Sequence, residues 1–170
     1  MKIKPQGRIE EAQVIIAPAF GAGEMGDPGL ANLFLGDIVG EISIKENLPI
    51  IAQIEVANAL NALPVPLKLI EVIKEHRIKG KYLDTYEVLS QAKEIMEKKG
   101  WNIAILVAHP AHLPRCKKVL EKMGVKVIIP EGLEKIPFDS FSTQWWTRNK
   151  FAWWIREIPT RLLYKIKGWI

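Results

Sequence analysis

The sequence predicts an α/β protein: a three-layer α/β/α Rossmann-like domain with a mainly parallel sheet and a C-terminal, Trp-rich helical segment. Three observations predict it. Short apolar runs of strand length alternate with segments of helical periodicity. Those runs show no polar alternation, as expected of strands covered on both faces. The chain has 170 residues, 48% hydrophobic and 25% charged, which is enough for one domain with a substantial core. Residues 1–170 read as that single domain, with residues 145–170 as an aromatic, basic end.

Residues 13–18 (QVIIAP) are the first predicted strand, followed by a Gly-rich loop over residues 20–29. Asp27 before Pro28 reads as an N-cap with proline at the first helical position. The helix carries Leu30, Phe34, Ile38 and Ile42 on one face, Gly36 and Gly40 permit close packing, and it stops near Asn47. Residues 49–54 form a second buried strand and 55–63 a short helix, interrupted by Pro64 and Pro66. Residues 67–76 have helical spacing at Leu69, Ile70 and Ile73, and residues 81–83 read as a brief strand. Asp84 caps a helix with Val88, Ala92, Ile95 and Met96 on one face, ended by Gly100. Residues 102–107 are an uninterrupted apolar strand. Pro114 opens a helix that turns Cys116, Val119, Leu120 and Met123 inward and stops at Gly124; residues 125–129 are the last strand. Residues 146–167 set Phe151, Ile155, Ile158, Leu162 and Ile166 along one stripe, the pattern of a core-facing helix. Pro159 is expected to kink or split it, because it cannot donate to Ile155.

The net charge of +5 is local. Residues 147–170 hold six basic residues against Glu157 alone, so the remainder of the chain is balanced. The same end carries Trp145, Trp146, Trp153, Trp154 and Trp169. A neutral body disfavours a nucleic-acid partner, which would want a basic face spread over the fold. The lone Cys116 excludes an internal disulfide and a multi-cysteine zinc site. The first eight residues lack the apolar core of a secretory signal, and no apolar run reaches the roughly 18 residues of a membrane span. The expected location is cytoplasmic.

Ligands of parallel α/β sheets sit beyond the carboxyl ends of the strands, where strand order reverses. The loops to read are residues 19–29, 53–55, 84–87 and 108–115. Gly21-Ala22-Gly23-Glu24-Met25-Gly26 fits G-x-G-x-x-G directly after a strand, which makes Gly21, Gly23 and Gly26 candidate phosphate-cradling residues. A dinucleotide fingerprint is disfavoured, because the helix restarts at Asp27-Pro28 and no carboxylate ends the second strand. Glu24 and Asp27 would also repel phosphate. The alternative is a tight, mobile turn. His109, His112 and Arg115 place two imidazoles and a guanidinium at one strand end, a grouping that suits an anion. No partner ligands for a metal accompany the two histidines. Helix capping accounts for Asp84 and Glu87; the other reading makes Glu87 and His112 a proton-transferring pair. Cys116 reads as buried, and there is no G-x-S-x-G nucleophile.

The order of these pieces resembles the YdcF-like family, a domain of unknown function. Thr85-Tyr86-Glu87 matches its Thr-x-Glu-Asn helix start, His112-Leu113-Pro114-Arg115 its His-x-x-Arg motif, and the stretch from Arg156-Glu157-Ile158 to Gly168-Trp169 its aromatic ending. Val88 stands where the family has Asn, and His109 where it has a small polar residue. The resemblance implies a Rossmann-like domain whose site falls on Gly21, Thr85, Glu87, His112, Arg115 and Glu157. Members of that family include an S-adenosylmethionine binder and proteins of envelope biogenesis.

Two functions are expected from these observations. In the first, a nucleotide-like or phosphorylated small molecule, S-adenosylmethionine among them, binds between the Gly21 turn and His112/Arg115. Thr85, His109 and Glu157 also belong to that ligand-binding set, and turnover is left open. In the second, the Trp-rich basic end meets an envelope partner, with weak contact to the inner face of a membrane, unless those aromatics simply cover the sheet or a homo-oligomer contact.

Overall fold

The computed structural model describes residues 3–170, the side chain of Ile70 excepted; Met1 and Lys2, which head the segment read as lacking a signal sequence, lie outside it. Five strands, β1 (Val14–Ala17), β2 (Ile50–Gln53), β3 (Leu69–Ile73), β4 (Ile103–Leu106) and β5 (Lys126–Ile128), form one parallel sheet in the order β3-β2-β1-β4-β5. Four helices connect them: α1 (Leu30–Glu46), α2 (Ile54–Asn61), α3 (Thr85–Lys98) and α4 (Leu113–Lys122). α1 packs on α2 and α3 on α4, giving two helical layers around the sheet. After a 3-10 turn at Trp145–Thr147 the chain ends in α5 (Lys150–Ile166).

The strands are apolar because both faces are covered. Every residue of β1 is buried, as are Ile50, Ile51 and Ala52 of β2 and Ala104, Ile105 and Leu106 of β4. Ile15 pairs with Ile50 on one side and Ile105 on the other. The chain winds outward from β1 to β3, then returns to the far side of β1 with β4. Strand order therefore reverses between β1 and β4, the place where α/β sheets hold ligands.

Several expectations are corrected. Residues 67–76 are not helical; they contain edge strand β3, parallel to β2. The spacing of Leu69 and Ile73 fits either state, but Val72 and Ile73 are β-branched and an open sheet edge awaits them. Exposed Lys68, Glu71 and Lys74 guard that edge against further pairing. Residues 81–83 are loop, with Tyr82 edge-on to Trp146 at 6.5 Å between ring centres.

α1 begins at Leu30 with Gly29 as its N-cap, while the Gly29 N–H donates to Asp27 Oδ1 at 2.7 Å in a local turn. Its core face is Ala31, Leu35 and Val39, rotated by about a residue from the expected one, and Leu30 and Phe34 are exposed. Gly36 and Gly40 fix this rotation. A Cβ at Gly36 would come within 2.9 Å of Ala59, and one at Gly40 within 2.7 Å of Leu63, so both must face α2 and the turn that follows it.

α5 differs most. It runs unbroken through Pro159, since Pro159 and Ile155 lie on the exposed side and water can take the orphaned carbonyl. The stripe expected in the core faces solvent instead: Phe151, Ile155, Ile158, Leu162 and Ile166 are 51–77% exposed. Trp153, Glu157 and Tyr164 are the buried residues. Glu157 helps decide the rotation, because a helix turned the other way would strand the buried guanidinium of Arg115 without a counter-charge.

Candidate ligand-binding site

A cavity of about 420 Å³ opens beyond the carboxyl ends of the strands. All four loops singled out by the parallel-sheet argument contribute to it: residues 18–21 after β1, Gln53 at the end of β2, Asp84 and Thr85 at the start of α3, and His112 and Arg115 at the start of α4. The inner face of α5 supplies another wall through Trp153, Arg156, Thr160 and Tyr164.

The floor is a hydrogen-bonded knot that joins three segments distant in sequence. Arg115 Nη1 donates to Thr85 Oγ1 at 2.6 Å, and Thr85 Oγ1 lies 2.8 Å from His112 Nε2. Arg115 Nε donates to both Glu157 oxygens at 3.1 and 3.2 Å, while Nη2 lies 3.0 Å from Oε2. Arg161 Nε also donates to Glu157, at 2.7 Å. Trp153 and Tyr164 flank the guanidinium, with ring centres 5.7 and 5.2 Å from Cζ. Burial opposes the charge on Arg115, but the Glu157 carboxylate keeps its pKa raised. Local sequence builds each part: Asp84 Oδ1 accepts from the Glu87 N–H at 3.0 Å and so starts α3 beneath Thr85, and Pro114 sits in the first turn of α4 just before Arg115.

Both histidines are buried and held neutral. Burial, Arg115 and His109 together push the His112 pKa well below its ordinary value of 6.5. The Ala19 backbone opposes this without reversing it, and His112 Nδ1 has no hydrogen bond of ordinary geometry. A proton accepted from Thr85 would create a buried imidazolium beside a guanidinium, so burial favours Thr85 and His112 as a neutral hydrogen-bonded pair. His109 lies outside the cavity wall, stacked on Phe20 at 3.7 Å and edge-on to Phe138 at 4.6 Å. Burial lowers its pKa to about 3.

Glu87 is also off the cavity wall. Its side chain does not return to the cap of α3; it accepts from Arg77 Nε at 2.7 Å, from the Arg77 N–H at 3.1 Å and from Gln91 at 2.9 Å. Arg77 holds its pKa down at about 2. Glu87 therefore fastens the loop after β3 to α3, and it touches the site only through His76, 3.9 Å away on the wall.

The glycine loop is neither free nor loose. Asp139 Oδ2 accepts from the Leu30 N–H at 2.9 Å, so a carboxylate of the chain itself occupies the N-terminus of α1 that a phosphate would need. Buried Asn32 accepts from the Phe20 N–H at 2.9 Å and donates to the carbonyls of Gly21 and Pro28, which locks the loop. Gly21 lines the cavity, with φ +78°, and a Cβ there would approach Thr147 Oγ1 to 2.6 Å. Gly23 and Gly26 do not line it.

Sequence reasoning missed the upper walls. Lys81 and Tyr82 come from a segment read as a strand; Trp146, Arg156, Lys167 and Trp169 come from one read as core or partner surface. Arg156 Cζ lies 5.3 Å from the centre of Trp146, and Lys167 Nζ 4.2 Å from that of Trp169. Alternating cations and tryptophans were the available signal. Among the described residues no group of His, Cys, Asp and Glu is placed to hold a metal ion, and no helix is long and apolar enough to cross a membrane. Buried Cys116 has its thiol pushed up to about 12 by desolvation, far from nucleophilic. No protein-family model matches the chain, and no curated protein or solved structure matches it either.

Proposed function

We infer that the cavity binds a small phosphorylated, nucleotide-like molecule. The observation that carries this reading is the wall itself: the aromatic side chains of Tyr82 and Trp146 for a flat ring, with Trp169 stacked on Tyr86 beside them, interleaved with Lys81, Arg156 and Lys167 for an anion. The one carboxylate on the wall, Asp84, is engaged in capping α3. The charge of Arg115 is answered by Glu157 and part of its fork is used on Thr85, so the main anion contacts fall to the exposed cations of the rim rather than to the floor. The Gly21 turn contributes shape, since a carboxylate already sits at the N-terminus of α1. Convergence of Thr85, His112, Arg115 and Glu157 in one knot supports the resemblance to the YdcF-like family, because the three motifs that carry it meet there. S-adenosylmethionine is the ligand class that family brings, but its sulfonium would meet three cations, so phosphorylated nucleotides rank above it.

The test is thermal unfolding with millimolar S-adenosylmethionine, S-adenosylhomocysteine, common nucleotides and sugar phosphates. A ligand at a hundredfold excess over its Kd raises stability by about 2.7 kcal/mol. The expected result is a shift with a nucleotide that Arg156→Ala weakens without loss of fold. No shift with any of these compounds overturns the reading.

A further inference from the structure

We propose that the outer face of α5 is an interfacial helix that lies on an anionic lipid bilayer. Phe151, Ile155, Ile158, Leu162 and Ile166 recur at i, i+4, i+7, i+11 and i+15, and all are more than half exposed. The stripe therefore runs the length of a helix of about 25 Å, at 1.5 Å per residue. A contiguous apolar surface of this extent marks an interaction site rather than ordinary surface.

The charge around it selects the partner. Lys150, Arg161 and Lys165 border one side of the stripe, whereas Arg156 and Lys167 lie farther round the helix, on the wall of the ligand cavity. The only carboxylate of the helix, Glu157, is fully buried and faces inward. A shallow hollow of about 260 Å³ continues the surface between α4 and α5, where Ile158, Leu162 and Ile170 meet Lys118, Arg161 and Lys165. Apolar side chains with a row of cations along one border are what acyl chains beneath anionic headgroups require. A second copy of the chain is disfavoured, because the same cations would face one another. Nucleic acid would neutralise the cations and leave the stripe in water. The inner face of the same helix closes the ligand cavity, so the membrane-facing side chains carry no part of that site.

The experiment is co-sedimentation of the full chain with vesicles of phosphatidylglycerol and phosphatidylcholine, and with phosphatidylcholine alone. Binding is expected to the anionic vesicles and to weaken in salt of about 0.5 M, where the Debye length falls to a few ångström. Ile155→Ser with Leu162→Ser removes apolar groups from the exposed stripe and is expected to lower the partition coefficient by at least about tenfold. Lys150→Glu with Lys165→Glu is the second variant; it tests the charge without touching the stripe and is also expected to weaken binding. Circular dichroism confirms that both variants fold. No sedimentation with anionic vesicles overturns the proposal, as does binding that both variants retain or equal binding to neutral vesicles. A dimer in light scattering that the stripe variant abolishes, with no vesicle binding, assigns the face to self-association and also overturns it.

Discussion

α5 has two faces of similar apolar character and opposite fate. The inner face buries Trp153, Glu157 and Tyr164 and ties three elements together through Arg115. The outer face displays Phe151, Ile155, Ile158, Leu162 and Ile166 to solvent. Hydrophobic periodicity alone favours the outer face as core, because aliphatic residues at four-residue spacing are the familiar signal. The structure chooses otherwise: the inner face answers the buried Arg115 and also buries the large rings of Trp153 and Tyr164, so the ion pair and aromatic burial act together against the stripe. Rotation of this amphipathic helix is thus decided by where its charge is answered and its rings are buried.

The comparison breaks most directly at Glu157. Glu157→Ala leaves Arg115 buried without its partner and is expected to cost about 3–5 kcal/mol in urea unfolding. A loss no larger than that of an outer-face substitution would mean that the ion pair does not set the rotation.

Acid is the second probe of the inner side. His109 and His112 have folded-state pKa values below the ordinary 6.5, so below that pH the unfolded chain takes up protons the native state refuses. Stability is present in full above pH 6.5 and falls as pH drops through it, by up to about 1.4 kcal/mol per pH unit for each histidine. Below pH 4.5 the stabilisation from Glu87, lowered to about 2 by Arg77, is lost in addition. Urea midpoints at pH 7, 6 and 5 measure the slope, and histidine NMR is expected to show both rings neutral at pH 5.

Thr85→Val removes the shared oxygen between Arg115 and His112 while keeping the shape. A loss of about 1–3 kcal/mol is expected, as for a buried hydrogen-bond partner left unsatisfied. The smallest effect belongs to the outer face. Ile155→Ser with Leu162→Ser should change stability by no more than about 0.5 kcal/mol per site, as for surface positions outside any packed contact. A larger loss in the same urea assay would show that the stripe is packed after all.

The central strands were legible because a strand buried on both faces has to be apolar throughout, and residues 13–18, 49–54 and 102–107 say so without ambiguity. The strand-end rule likewise located Gly21, Thr85, His112 and Arg115 on the cavity wall. Leu69 and Ile73 could not be assigned locally: their spacing fits a helix as well as a strand, and the open edge of β2 decided between them. His109 and Glu87 looked like chemistry because their side chains titrate, but His109 stacks on Phe20 and Glu87 pairs with Arg77, and neither lines the cavity.

By itself, then, the sequence determined the α/β class, the apolar sheet and the loops at its carboxyl ends, all of which follow from local pattern and burial. Only the tertiary structure decided which charges remain free. Asp139 takes the first amide of α1 and Glu157 answers the charge of Arg115, so under the proposed function the anion contacts fall to Lys81, Arg156 and Lys167. The physical reason is that a charge in a low-dielectric interior must find a counter-charge, and which one it finds depends on the folded arrangement rather than on distance along the chain.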